Sequence, residues 1–208
     1  MRKVLLFAPM ILLLLLAGCA ETTEQRVKEM QAYYRDAPSI TAEAALRCHL
    51  GTEVRDYVLA CEDNAQRAKV TVIAPENVSG IAAVFEGEEM KLSYEDVLLD
   101  AGVFSGTELT PFWAVPAFLR ALGEGYPLEY GTDGDFLRVT FEVTEENGEK
   151  RLHTAWFTEE NRVVRGEITV EGAVVYELDL TMVTTEEQED GTTAEENLGG
   201  DRSGRPEA

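Results

Sequence analysis

Histidine occurs twice and cysteine three times in 208 residues, and these scarcities remove whole classes of chemistry. His49 and His153 are accompanied by no Cys or His spacing of the kind that binds zinc, so neither a metal site nor another cofactor is expected. Neither histidine has beside it the Ser, Cys or Asp motif of nucleophilic catalysis. The acid pairs Glu88–Glu89 and Glu159–Glu160 fall in expected turns, not in the rigid cleft that glycoside hydrolysis needs. No glycine-rich phosphate loop follows a strand and opens a helix. No catalytic residue is assigned, and the chain reads as non-enzymatic.

Basic residues are also few, 18 Lys and Arg against 39 Asp and Glu, which leaves a net charge of -21. Such a surface repels phosphate backbones and anionic headgroups, which disfavours nucleic acid as a partner and charge-driven docking on a membrane. The acid reads first as a source of solubility.

There is one long apolar run, Val4 to Gly18, preceded by Arg2 and Lys3 and interrupted by Pro9. A bilayer core of roughly 30 Å needs about twenty apolar residues in a helix, so this run is short for a permanent span and reads as a secretory signal over 1–18. It ends in Leu16-Ala17-Gly18-Cys19, which resembles the lipobox of bacterial lipoproteins. The resemblance implies cleavage before Cys19, a diacylglycerol thioether on its sulfur and further acylation, as with palmitate. Two or three such chains hold a protein stably on a membrane. The expected location is the extracytoplasmic face of a bacterial membrane, with the membrane itself as partner through the anchor.

Outside the reducing cytosol, Cys48 and Cys61 form either a disulfide or two buried free thiols. Ala42, Ala44, Leu46, Cys48 and Leu50 share one face of an expected strand, and Tyr57, Leu59 and Cys61 one face of the next. A hairpin turning at Gly51–Thr52 sets the cysteines several positions apart, so a bond between them needs a longer loop or another strand's contact.

The mature chain has room for one domain. Residues 19–39 form the lipidated N-terminus, a polar leash of about a dozen residues or a docking helix in which Val27, Met30 or Gln31, and Tyr34 share a face and Pro38 ends the run. From Ile40 to Val183 the pattern alternates with period two and breaks into roughly ten strands. Leu137, Val139, Phe141 and Val143 form one inward set, Val164, Ile168 and Val170 a second, and Val174, Tyr176, Leu178, Leu180 and Met182 a third. Strands with one apolar face must curl over that face or cover it with helices. Residues 184–208 carry no aromatic side chain and read as a disordered acidic tail.

One helix interrupts the strands in TELTPFWAVPAFLRALGEG, with Pro116 in its first turn and a stop at Gly123. Phe112 and Trp113 stand just before it; Phe118, Leu119 and Leu122 lie on it. These five residues either plug the sheet as core or line a pocket for an acyl chain or a hydrophobic peptide.

The segment AKVTVIAPENVSGIAAVFEGEEMKLSYED, residues 68–96, resembles the LolA-like lipoproteins, nearest to the spore-germination (GerS-type) branch. The likeness lies in the strand ending at Ala74-Pro75-Glu76, the strand opening at Gly80 and the tight hairpin over Glu86 to Glu89. It extends through the order of elements to most of the chain. It implies a mainly β, α+β fold: a curved antiparallel half-barrel closed by short helices over 40–183. It also implies two alternative roles. One is binding of lipid, acyl chains or a lipoprotein in an apolar cavity. The other is service as an accessory to a peptidoglycan-modifying enzyme, with no lipid ligand. A chain tethered at Cys19 cannot act as a freely diffusing carrier.

Overall fold

The computed structural model describes residues 22–64, 66–87, 89–95, 97–103, 110–145 and 147–185. The signal segment, Cys19, Glu88 and the tail from 186 lie outside the described residues.

The chain opens with helix α1 (Thr23–Asp36), whose first turn is capped by the Thr22 hydroxyl accepting from the Gln25 amide at 3.2 Å. Val27, Met30 and Tyr34 recur at helical spacing and are its buried residues, so the face expected from the sequence is the one that packs. Six strands follow: β1 (Ser39–Leu50), β2 (Glu53–Asn64), β3 (Arg67–Ala74), β4 (Ala82–Glu86), β5 (Glu89–Tyr94) and β6 (Val97–Val103). After helix α2 (Pro111–Glu124) come β7 (Tyr126–Asp133), β8 (Phe136–Thr144), β9 (Lys150–Phe157), β10 (Val163–Val170) and β11 (Ala173–Thr185).

All eleven strands form one sheet in the order β6-β5-β4-β3-β2-β1-β11-β10-β9-β8-β7, each pair antiparallel. The fold is therefore two meanders stitched together where β1 meets β11, with α2 linking the two outer edges. Trp113 near the start of α2 meets Phe85 of β4 at a ring separation of 5.0 Å, while Gly125 at its end lies against Phe141 of β8. Those strands are seven intervals apart, about 34 Å on a flat sheet, whereas Trp113 and Gly125 are separated by only about 18 Å of helix. The sheet must curl around α2. This is the curved, helix-closed antiparallel architecture that the alternation demands.

The concave face carries the core: Ala42, Ala44, Leu46 and Cys48 of β1 meet Leu59 and Cys61 of β2 and Tyr176, Leu178 and Leu180 of β11. Phe118, Leu119 and Leu122 fill the trough from above.

Several expectations need correction. The inward set of β11 runs through Val175, not Val174, at its start, because the register with β10 slips between Ile168 and Thr169. A second irregularity, between Val163 and Arg165, buries Val163 where alternation points to Val164. Helix α2 begins earlier than expected, with Pro111 at its first position, so Phe112 and Trp113 belong to its first turn and Pro116 sits inside it. Gly123 is no stop. It lies within the helix, where an added Cβ would be 2.8 Å from the backbone of Arg35, and Gly125 is the C-cap.

Cys48 and Cys61 are free and buried. Cys48 stands opposite Arg55 and Cys61 opposite Ala42, six positions apart along β1, or about 20 Å, which no disulfide bridges. Burial pushes the Cys48 thiol up to about 12 and raises that of Cys61 as well. Both are inert packing groups. Of the two readings of residues 19–39, the described part is the helix: α1 begins at Thr23 and packs through Val27, Met30 and Tyr34.

Candidate functional site

The five side chains singled out on the helix separate into two groups. Phe118, Leu119 and Leu122 are buried at 0–1% exposure, and the ring of Phe118 stacks on His153 and presses on Gly166. Phe112 and Trp113 are only partly buried. Among the described residues no ring contact joins Phe112, Trp113 and Phe118 to one another; Trp113 turns to Phe85 on β4, while Phe118 turns to β9 and β10.

What opens beside Trp113 is a cleft of about 600 Å³ at one end of the half-barrel. Alternation builds its floor. Ala68 and Phe85 face each other across β3 and β4, Ile40 opens β1, and Leu119 descends from α2. The helix crossing builds its roof: Gly123 lets α2 touch α1 at Arg35, and Tyr34 closes the corner. The Tyr34 hydroxyl accepts from the Val163 amide at 3.1 Å and donates to the Asn161 carbonyl at 3.3 Å, fixing the end of α1 to the β9–β10 turn. The volume falls within the range of about 300–1,000 Å³ typical of small-molecule sites.

Charge is distributed unusually here. In a chain of net charge -21, the cleft is lined by Arg35, Arg67 and Arg120 against Asp63 and Glu124. The Arg120 guanidinium lies 5.2 Å from the centre of the Trp113 ring, a cation–π distance that holds both at the mouth. Arg67 pairs with Glu86 at 3.4 Å. Asp63 points inward in phase with Leu59 and Cys61, and burial pushes its carboxyl up to about 6; Arg120 opposes the shift and Glu124 adds to it. The arrangement offers an aromatic and aliphatic floor with a cationic, partly neutralised rim. Such a surface accommodates an amphipathic ligand with an anionic or hydrogen-bonding end.

Alternation carries a signal for Asp63, an acid in phase with the buried Leu59 and Cys61. Arg67 and Arg120 carry no such signal, because only the folded sheet brings β3 and α2 together.

The two histidines part company. His49 lies on the convex face with Nε2 2.7 Å from Glu177. His153 is buried in the trough, its Nδ1 has no hydrogen-bond partner among the described residues, and burial lowers its pKa to about 3. Among the described residues no three His, Cys, Asp or Glu side chains gather as a metal site would require.

No model of a known protein family matches the chain, and no curated protein sequence does. Solved structures similar to it include a LolA superfamily protein from Nitrosomonas europaea, 15% identical, with 81% of this chain and 96% of that one covered at a TM-score of 0.48. The lipoprotein LppX of Mycobacterium tuberculosis is 11% identical over 76% of this chain and 95% of that one, at a TM-score of 0.38. The complex of the CwlD amidase with the GerS lipoprotein from Clostridioides difficile gives 13% identity over 82% and 96%, at a TM-score of 0.33.

Proposed function

We propose that this protein is a lipid-anchored, non-enzymatic binding protein of the bacterial envelope, held at the extracytoplasmic face through acylated Cys19. Its ligand is an acyl chain or the acylated end of a lipoprotein, taken into the cleft beside Trp113. The observation that carries this reading is the cleft itself. The trough is packed by Phe118 and Leu122, yet a space of about 600 Å³ remains between Trp113, Phe85 and Leu119, with three arginines at its lining. An apolar chain gains by covering the aromatic floor, and a phosphate or carboxylate near its head gains from the rim. The ligand then lies in an open cleft and not in an enclosed barrel interior, because the interior is core.

The filled interior favours a second reading, an accessory that presents its surface to a peptidoglycan-modifying enzyme and binds no lipid. Native mass spectrometry of the full chain after mild extraction separates the two. Bound acyl species that disappear in Trp113→Asp, with circular dichroism unchanged, support the cleft. A clean apoprotein from both chains overturns it in favour of the accessory role.

A further inference from the structure

We propose that the β7 edge of the sheet and the β7–β8 turn form a membrane-contact face, with Tyr126, Leu128, Tyr130 and Phe136 resting in the interfacial zone of the bilayer. This rests on the anchored reading of Cys19. The four side chains are exposed by 68%, 49%, 43% and 40%, and among the described residues β7 is an outermost strand with one unpaired side. Exposed tyrosines with apolar neighbours are the side chains that suit the boundary between headgroups and hydrocarbon.

The anchor's position selects this face. Only three residues separate Cys19 from Thr23, four steps of chain with a reach of at most about 14 Å, so the start of α1 must sit against the membrane surface. Helix α1 runs beside β7. The Gln31 side-chain amide donates to the Gly125 carbonyl at 2.7 Å, one residue before Tyr126. At the helix start, Arg26 donates to the Thr158 carbonyl at 2.7 Å. Thr158 follows Phe157, which stands opposite Leu137, so Phe136 neighbours the first turn of α1. The anchor thus delivers this edge to the bilayer.

A second exposed apolar group, Tyr94, Val97, Leu98 and Leu99, lies around the β5–β6 turn at the opposite margin of the sheet. That turn is at the end of the strands away from α1, because β4 and β5 join at the cleft end. It serves as an internal control. Glu129 and Asp133 on β7 restrict the contact to a shallow one at headgroup depth, which agrees with a chain too acidic to be drawn in by charge.

The test uses the full chain, acylated in a bacterial host and reconstituted into phosphatidylcholine–phosphatidylglycerol vesicles. Leu128→Cys, Phe136→Cys and the control Leu98→Cys each carry an environment-sensitive dye; Cys48 and Cys61 are buried and stay unlabelled. Nitroxide lipids are expected to quench the dyes at 128 and 136 at least threefold more than the dye at 98. Equal quenching at all three positions, on protein that floats with the vesicles, overturns the contact face and leaves the anchor standing. Cys19→Ala is expected to abolish flotation. If it floats unchanged, the anchored reading falls, and this inference with it.

Discussion

The ring of Phe118 occupies the space that a side chain at position 166 would need: a Cβ built on Gly166 would lie 2.4 Å from two of its ring atoms. Phe118 is fully buried and Gly166 sits in β10, so neither the ring nor the strand can withdraw cheaply. Gly166→Ala is therefore expected to destabilise the domain by about 1–3 kcal/mol through overpacking. Thermal unfolding followed by circular dichroism checks it, and an unchanged midpoint would mean that α2 is not seated in the trough.

The same pair shows how much could be read from the chain alone. Period-two alternation gave the inward faces of β1, β2 and β8, and period 3.6 gave the buried face of α1, because each face meets a single apolar environment. In β10 and β11 alternation also gave Ile168, Tyr176, Leu178 and Leu180, and failed only at the starts of the strands, where one extra residue at Val164 or Val175 shifts the phase and leaves no local mark. In α2, Gly123 and Pro116 look like punctuation. They are instead consequences of a helix crossing and of a buried face, which depend on residues far away in sequence. The cleft was least legible, because Asp63, Arg67 and Arg120 converge only after the sheet curls. The aromatic signal grouped Trp113 with Phe118 and Leu122 and left core or pocket open for all of them; in the fold Trp113 lines the cleft, while Phe118 and Leu122 are buried core.

His153 makes stability fall in acid. Its buried ring titrates near 3, against an ordinary histidine value of 6.5, because burial disfavours the imidazolium and Arg151 repels it. The unfolded chain therefore binds the extra proton first. The contribution of neutral His153 is complete above pH 6.5 and is lost progressively as the pH drops toward 3. His153→Phe keeps a ring against Phe118 and removes the titrating group, so its unfolding midpoint is expected to lose less between pH 7 and pH 4.5 than the parent's. Parallel declines would show that His153 is protonated without cost.

Asp63 acts with the opposite sign. Its carboxyl is raised from 3.8 to about 6, so the folded chain holds a proton that the unfolded chain has already released. Across that window stability falls as pH rises, and the penalty is complete above pH 6. Asp63→Asn retains the shape and is expected to raise the midpoint at pH 7.5 while leaving that at pH 4 nearly unchanged. Since Asp63 and Arg120 share the cleft, the same substitution is also expected to strengthen retention of an anionic amphiphile at pH 7.5. An equal midpoint gain at both pH values would show that the carboxyl titrates normally.

Arg26 ties the first turns of α1 to the body of the domain. Its guanidinium donates to the Thr158 carbonyl at 2.7 Å, the Glu159 carbonyl at 3.3 Å and the Asn161 side-chain oxygen at 2.9 Å, all in the β9–β10 turn. Hydrogen bonds from a charged donor to partly buried acceptors are each worth about 1.5–3 kcal/mol, and the set is not additive because one side chain makes all three. Arg26→Ala is expected to cost about 2 kcal/mol. The loss should be local, since Val27, Met30 and Tyr34 still hold the helix to the core. Amide hydrogen exchange of the full chain is the decisive measurement: faster exchange confined to residues 23–30 and 158–162 is expected. Uniform acceleration over the sheet would instead make α1 part of the cooperative core and not a separately docked element.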